Sequence, residues 1–245
     1  AMSGQTFRLM DPVSQRMMGV RADMTLQVAR IATTRMKNSP RPLRLCYGGQ
    51  VLRIRGTQMR PERQFGQVGS ELLGSQDPQA DAEVILMAVE ALSDVGVKDL
   101  SIDLALPTLV PALLGKIDLD DESRDTLRVA LDRKDEAAVG ALSKKLGKAT
   151  TDQLTAMLKA TGPADDALAA LTKLKLPKAA ANELASLAQV VEKIRSAAAD
   201  LSLTVDPVES RGLEYHSGVT FTIFSTGVRG ELGGGGRYLA GSEDE

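Results

Sequence analysis

Arg211, Glu214, Tyr215 and His216 fall within one short segment, flanked by Gly212 and Gly218. A second segment, Gly233-Gly234-Gly235-Gly236-Arg237-Tyr238, follows downstream. The pair reads as a turn into a strand, then a return strand ending in a glycine run. Glycine lets backbone come close to a small ligand. The Tyr, His and Arg side chains would supply hydrogen bonds and a positive charge to it. Bond-making chemistry fits less well. His216 is the only histidine in the chain, and a lone His is more often a structural hydrogen-bonding group than a catalyst. No nucleophile and orienting acid nearby complete a triad. The glycine run lacks the Lys-Ser/Thr of a P-loop and the spacing of a Rossmann turn. No catalytic residue is assigned.

A second group of candidates lies near the start. Arg41, Arg44, Arg53, Arg55, Arg60 and Arg63 cluster with no lysine among them, and Glu62 is the only acid in that stretch. The planar guanidinium fork suits phosphate and carboxylate. Arg53 and Arg55, two apart on an expected strand, would share a face. Arg53 and Arg63 are the candidate anion ligands, and a solvated edge hairpin is the plainer reading of the same pattern. Asp23 and Thr25 precede an apolar-periodic run and read as helix-capping residues. Gln67 and Glu71, four apart, would share one strand face. That face is either a polar exterior or part of a ligand site.

The elements that must position these groups follow from periodicity. Thr6 to Met10 and Met17 to Arg21 predict a hairpin turning at Asp11-Pro12. A helix is predicted from Met24 to Arg35, ended by Pro40 and Pro42. Leu43 to Gly48 and Val51 to Arg55 form two strands, or one strand bulged at Gly48-Gly49. Another strand covers Gln64 to Leu72. Asp77-Pro78 starts a helix with an apolar stripe of Val84, Ala88, Ala91 and Val95, closed by Gly96. Leu100 to Leu106 alternates as a half-buried strand. Helical periods then dominate 107–200, with helices expected at 121–131, 136–146, 151–159, 164–174 and 178–199. Strands return at 201–205 and 219–224. Consecutive strands favour an antiparallel sheet over a βαβ fold.

Composition narrows the class. The 245 residues are 43% hydrophobic and 25% charged, ordinary for a globular protein that buries a core. The net charge of −2 gives no electrostatic sign of nucleic-acid binding. Cys46 is the only cysteine, which excludes an intramolecular disulfide and fits a reducing cytoplasm. One Cys and one His leave no Cys/His metal site. No apolar run reaches the ~20 residues that a membrane span needs. All seven aromatics lie before residue 66 or after residue 214, which marks a compositional boundary around the Ala/Lys-rich middle. The expectation is a cytoplasmic protein without metal or cofactor and without nucleic-acid or membrane partners.

These motifs together resemble the histidine-binding motifs of the histidyl-tRNA synthetase family, which includes the non-synthetase regulatory subunits of ATP phosphoribosyltransferase. Leu52-Arg53-Ile54-Arg55 with Arg63-Gln64-Phe65-Gly66-Gln67 is similar to motif 2 of the class II synthetases. There Arg53 matches the arginine on the ATP α-phosphate. The motif glutamate is replaced by Arg55, and the loop Gly-Arg by Arg60-Pro61. Val20-Arg21-Ala22-Asp23-Met24-Thr25 resembles the element whose acid and threonine hold the amino acid's ammonium group. In the closing motif Glu214 stands for the usual Asp, His216 for a second Tyr, and Leu239 for the Asp after Gly-Arg-Tyr.

The resemblance implies an α+β fold, a class II aminoacyl-tRNA synthetase-like antiparallel sheet flanked by helices. Residues 1–106 and 201–245 would form the core and 107–200 an α-helical insertion. It implies a histidine site made of Asp23, Thr25, Gln67, Glu71, Arg211, Tyr215 and His216. The implied role is regulatory: activation of a short-form catalytic ATP phosphoribosyltransferase subunit, feedback by L-histidine, and a self-dimer within a hetero-oligomer. An active histidyl-tRNA synthetase core is the alternative, and Arg55, Pro61 and Leu239 argue against it. The first and third class II motifs and an anticodon-binding domain are not in this sequence, so the chain is expected to begin and end inside the fold.

Overall fold

The computed structural model describes residues 2–56, 61–115, 117–209 and 215–240. The chain divides into two compact units, one running to Ala80 and the other from Asp81 to Leu239.

In the first unit a 3-10 turn, Met2–Gln5, precedes the short antiparallel pair β1 (Arg8–Met10) and β2 (Met17–Gly19). The Asp11 carboxylate organises the turn between them. It accepts the Ser14 hydroxyl and the Val13 and Ser14 N–H groups, which holds its pKa below the ordinary carboxylate range. Helix α1 (Thr25–Thr33) follows, burying Val28 and Ala32. Asp23 does not occupy the cap position, which falls on Met24 without a side-chain bond. Instead Asp23 Oδ1 accepts the Thr25 N–H at 2.8 Å, an Asx turn that tightens the entry.

A long hairpin completes this unit. Strands β3 (Leu43–Leu52) and β4 (Gln64–Leu73) pair antiparallel from Leu43↔Leu73 to Leu52↔Gln64 without a register break. Neither expected form, two strands or one strand bulged at Gly48-Gly49, is found: β3 runs through both glycines unbroken. Gly49 serves close packing instead: a Cβ there would lie 3.1 Å from both Arg21 Nη2 and Met24 Sδ. Because β3 ends at Leu52, Arg53 and Arg55 do not share a strand face. Arg53 N–H donates to Arg63 O and Ile54 N–H to Gln5 O.

The second unit opens with α2 (Pro78–Asp94), where Asp77 Oδ1 accepts the Gln79 N–H at 2.7 Å. Its buried stripe is centred on Ala82 and Ile85, with Val89 and Leu92 packed beside them. This differs from the expected register. The helix ends at Asp94, before Val95, which is 77% exposed. Next come β5 (Leu100–Ala105), α3 (Leu109–Leu114), α4 (Asp121–Asp132), α5 (Glu136–Ala141), α6 (Ser143–Leu146) and α7 (Lys148–Lys159). The two-residue β6 (Gly162–Pro163), α8 (Ala164–Leu171), α9 (Lys178–Ala197), β7 (Ser202–Asp206), β8 (His216–Ser225) and β9 (Val228–Tyr238) complete the order. Asp120 and Asp135 cap α4 and α5 by accepting the Ser123 and Ala138 N–H groups.

The sheet runs β6-β7-β5-β8-β9. All its pairings are antiparallel except β5–β7, which is parallel, so the sheet is mixed. A parallel neighbour requires a long crossover, and the helical stretch between β5 and β7 is that connection. Helices and sheet share one core in which Ile102, Leu104, Leu154, Met157, Leu171, Leu187, Ile194 and Val205 are fully buried. Thus the helical stretch covers one face of β5, β7 and β8.

The other face of β5 carries Asp103, whose Oδ1 accepts the Thr204 hydroxyl at 2.8 Å. Burial pushes the Asp103 carboxyl above its ordinary pKa. The Thr204 bond and Lys134 pull it down, while Asp206 and Glu209 add to the rise. The folded protein therefore holds this proton more tightly than the unfolded chain. That contribution is complete below about pH 4 and is lost as pH rises through the folded pKa. Asp103→Asn keeps an acceptor for Thr204 and removes the buried charge. The variant is expected to be more stable than the parent at pH 7, with the gain shrinking toward acid. Urea unfolding at several pH values checks this.

Candidate functional site

Within the first unit the candidates from α1, β3 and β4 meet in one network. Alternation along β4 turns Gln67, Gly69 and Glu71 to the same face. Gln67 bridges the chain before α1: its Oε1 accepts the Met24 N–H and its Nε2 donates to Asp23 Oδ2, both at 3.0 Å. Arg53 Nη2 lies 3.7 Å from the same Asp23 oxygen, and Arg53 Nε donates to Ala22 O at 3.2 Å. The Arg53 guanidinium also rests over the Phe65 ring, 5.0 Å from its centroid. Asp23 is the half-buried anion at the centre, holding Thr25 by one oxygen and Gln67 and Arg53 by the other.

The remaining arginines are divided. Arg63 Nε donates to Arg53 O at 3.4 Å, and its guanidinium covers Phe7 at 4.9 Å. Its backbone tie and aromatic contact leave it exposed at the hairpin end. Arg55 is exposed in the bend beyond β3. Cation–π packing and one carbonyl each hold Arg53 and Arg63, and Arg53 also pairs with Asp23.

Tyr47 belongs to the network although its spacing did not single it out. It alternates with Leu45, Gly49 and Val51 on the inner face of β3, and its Oη lies 3.1 Å from Thr25 Oγ1. Arg21 was also missed as a contributor; its Nε donates to Gln50 O at 2.8 Å and ties the segment before α1 to β3.

In the second unit Tyr215 and His216 stack on one another, ring centroids 3.9 Å apart. Tyr238 meets Tyr215 edge-on at 6.3 Å. The glycine run is part of β9 itself, paired residue by residue with β8 from Gly236↔Thr220 to Gly233↔Ile223. At Gly236 a Cβ would stand 2.7 Å from His216 Cδ2 and 2.6 Å from Thr220 Cγ2, so the imidazole occupies the space a side chain would take. Arg237 Nη2 donates to Asp81 Oδ2 at 2.8 Å, a half-buried pair joining β9 to α2. Arg211 and Glu214 lie outside the described residues. Among the described residues no cluster of His, Cys, Asp and Glu could hold a metal.

The family model for histidyl-tRNA synthetase matches residues 1–243. The chain belongs to the histidyl-tRNA synthetase family. Among curated members of this histidyl-tRNA synthetase family, it is 58% identical over 239 residues to the ATP phosphoribosyltransferase regulatory subunit of Paramagnetospirillum magneticum. The match covers 98% of this chain and 62% of that protein. Its fold superposes with TM-score 0.83 and 27% identity on a structure described as an ATP phosphoribosyltransferase regulatory subunit/histidyl-tRNA synthetase from Bacillus halodurans, covering 97% of this chain and 62% of that one. An ATP phosphoribosyl transferase complex from Thermotoga maritima shares the fold at TM-score 0.73 and 19% identity, over 95% of this chain and 80% of that one. The chain spans about three fifths of the length of the first curated relatives it matches. The class II synthetase-like α+β fold is thereby established.

Proposed function

We propose that the protein is the non-catalytic regulatory subunit of an ATP phosphoribosyltransferase, acting at the first step of histidine biosynthesis in the cytoplasm. The observation that carries this is the 58% identity, spread over nearly the whole chain, to a regulatory subunit of that enzyme. Arg55 supports it too. A synthetase aligns ATP with an amino-acid carboxylate through precise local geometry, and a base where the motif has an acid disfavours that alignment. The partner is a short catalytic subunit, and residues 107–200 act as an insertion in the synthetase-like core.

L-Histidine is the proposed effector. Its ammonium group would face Asp23 and the Thr25 hydroxyl, with Gln67 and Glu71 alongside; Arg211, Tyr215 and His216 are proposed as histidine-binding residues on the family resemblance alone. Arg53 and Arg63 would take an anionic group. The carboxylate-centred network before α1 supports this, because a half-buried carboxylate attracts an ammonium strongly. Histidine binding that favours an inactive assembly by about 1–3 kcal/mol is enough for useful feedback. The exposed Leu9 and Met18 on one face of the β1–β2 hairpin, and Met10 and Met17 on the other, are apolar side chains available to the proposed self-dimer.

The test mixes the full-length protein with its cognate short-form catalytic subunit. Stimulated phosphoribosyl transfer that histidine suppresses is the expected result. Absence of both stimulation and complex formation would overturn the reading. Histidine-dependent ATP–pyrophosphate exchange would favour an active synthetase core instead.

A further inference from the structure

We infer that Tyr47 is a positioning residue for the ammonium group of the bound amino acid and acts through Thr25. The inference rests on the histidine-pocket reading above and extends it to a residue outside the expected site. Three observations place Tyr47 there. Its hydroxyl is 3.1 Å from Thr25 Oγ1. The backbone N–H of the same threonine is held by Asp23 at 2.8 Å, so Thr25 is fixed at two atoms. Directly across the hairpin stands Gly69, and a Cβ at that position would fall within 2.9 Å of three Tyr47 ring and hydroxyl atoms. The glycine thus makes the room that lets the phenol lie flat over β4, between Gln67 and Glu71 on the same face.

The chemistry follows from what a threonine hydroxyl can do. It has one proton and two lone pairs. When the Thr25 proton is directed to Tyr47 Oη, both lone pairs of Thr25 Oγ1 are left to accept N–H from a cation. Asp23 supplies the charge beside it. Without the phenol oxygen the Thr25 hydroxyl rotates freely and can turn its proton toward the ligand ammonium, which repels it. Tyr47 touches no ligand atom in this scheme; it sets the direction of the hydroxyl that does.

Calorimetric titration of the full-length protein tests this with two probes, L-histidine and 3-(imidazol-4-yl)propionate, which lacks the ammonium. Tyr47→Phe is expected to weaken histidine binding about 5- to 10-fold, on the order of one lost hydrogen bond, and to leave the propionate unchanged. Gly69→Ala, which displaces the ring instead of removing the hydroxyl, should give the same selective loss. In a Thr25→Ala background, Tyr47→Phe should add nothing. Equal weakening of both probes would mean a merely structural role, and an unchanged histidine affinity would remove the role altogether. If the parent protein binds no histidine, the pocket reading itself fails and this inference falls with it.

Discussion

Asp23→Asn is expected to weaken histidine binding to the full-length protein by about 10- to 100-fold. The carboxylate is half-buried and lies at the junction of the network. A hydrogen bond to a charged group contributes roughly 1.5–3 kcal/mol, and 1.4 kcal/mol is a factor of ten in affinity. The amide preserves the geometry on one side, since Asn Oδ1 still accepts the Thr25 N–H. On the other side it turns an N–H donor toward Gln67 Nε2, itself a donor to this position. Arg53, 3.7 Å away, also loses its counter-charge. Two effects therefore add: the ligand's ammonium loses its anion, and Gln67 loses its acceptor. Calorimetric titration reads the first. Thermal unfolding in the absence of histidine reads the second, which should stay near 1 kcal/mol because the network is partly solvated. Unchanged histidine affinity would place the effector site elsewhere, and a subunit interface would be the next location to examine.

Which parts of this arrangement could be read along the chain depended on distance in sequence. The common face of Gln67 and Glu71 was legible because strand alternation is local and exact in period. Asp77-Pro78 and Gly96 bounded α2 by their own backbone preferences, and Gly96 has a φ of +90°. The parallel pairing of β5 and β7 was not legible. Its partners Ser101 and Ser202 are separated by the whole helical stretch, and nothing in either strand states which neighbour it will take. Tyr47 was hidden for a related reason. Its role depends on Gly69 across the hairpin and on Thr25 before α1, and neither contact follows from spacing. Gly48-Gly49 misled because a glycine pair in a strand suggests a bulge. The physical need was close approach by Arg21 and Met24 from another segment. Family resemblance pointed to Asp23 and Thr25, whereas the residues read alone said only that a helix begins there.

Lys134→Met is expected to destabilise the protein by about 3 kcal/mol, the largest single-site stability loss anticipated. Lys134 sits in the tight turn between α4 and α5 with a φ of +57°. It reaches across to the end of β7, where its Nζ contacts both oxygens of Asp206 at 2.6 and 2.5 Å. Asp206 is only 7% exposed and also accepts the Val208 N–H. Deleting one partner of a buried pair leaves an uncompensated charge, with a typical cost of roughly 3–5 kcal/mol. Lys134 retains 35% side-chain exposure, so water relieves part of that and the lower end applies. In a chain of this size, such a loss lowers the melting temperature by roughly 6–12 °C. Asp206→Asn in the Lys134→Met background removes the stranded charge and should recover most of the loss. That recovery separates electrostatics from packing: if the double variant melts no higher than Lys134→Met alone, the lysine acts through its methylene chain and not through its charge. The pair ties the turn between α4 and α5 to the end of β7, so its loss acts on the helical crossover and the sheet together.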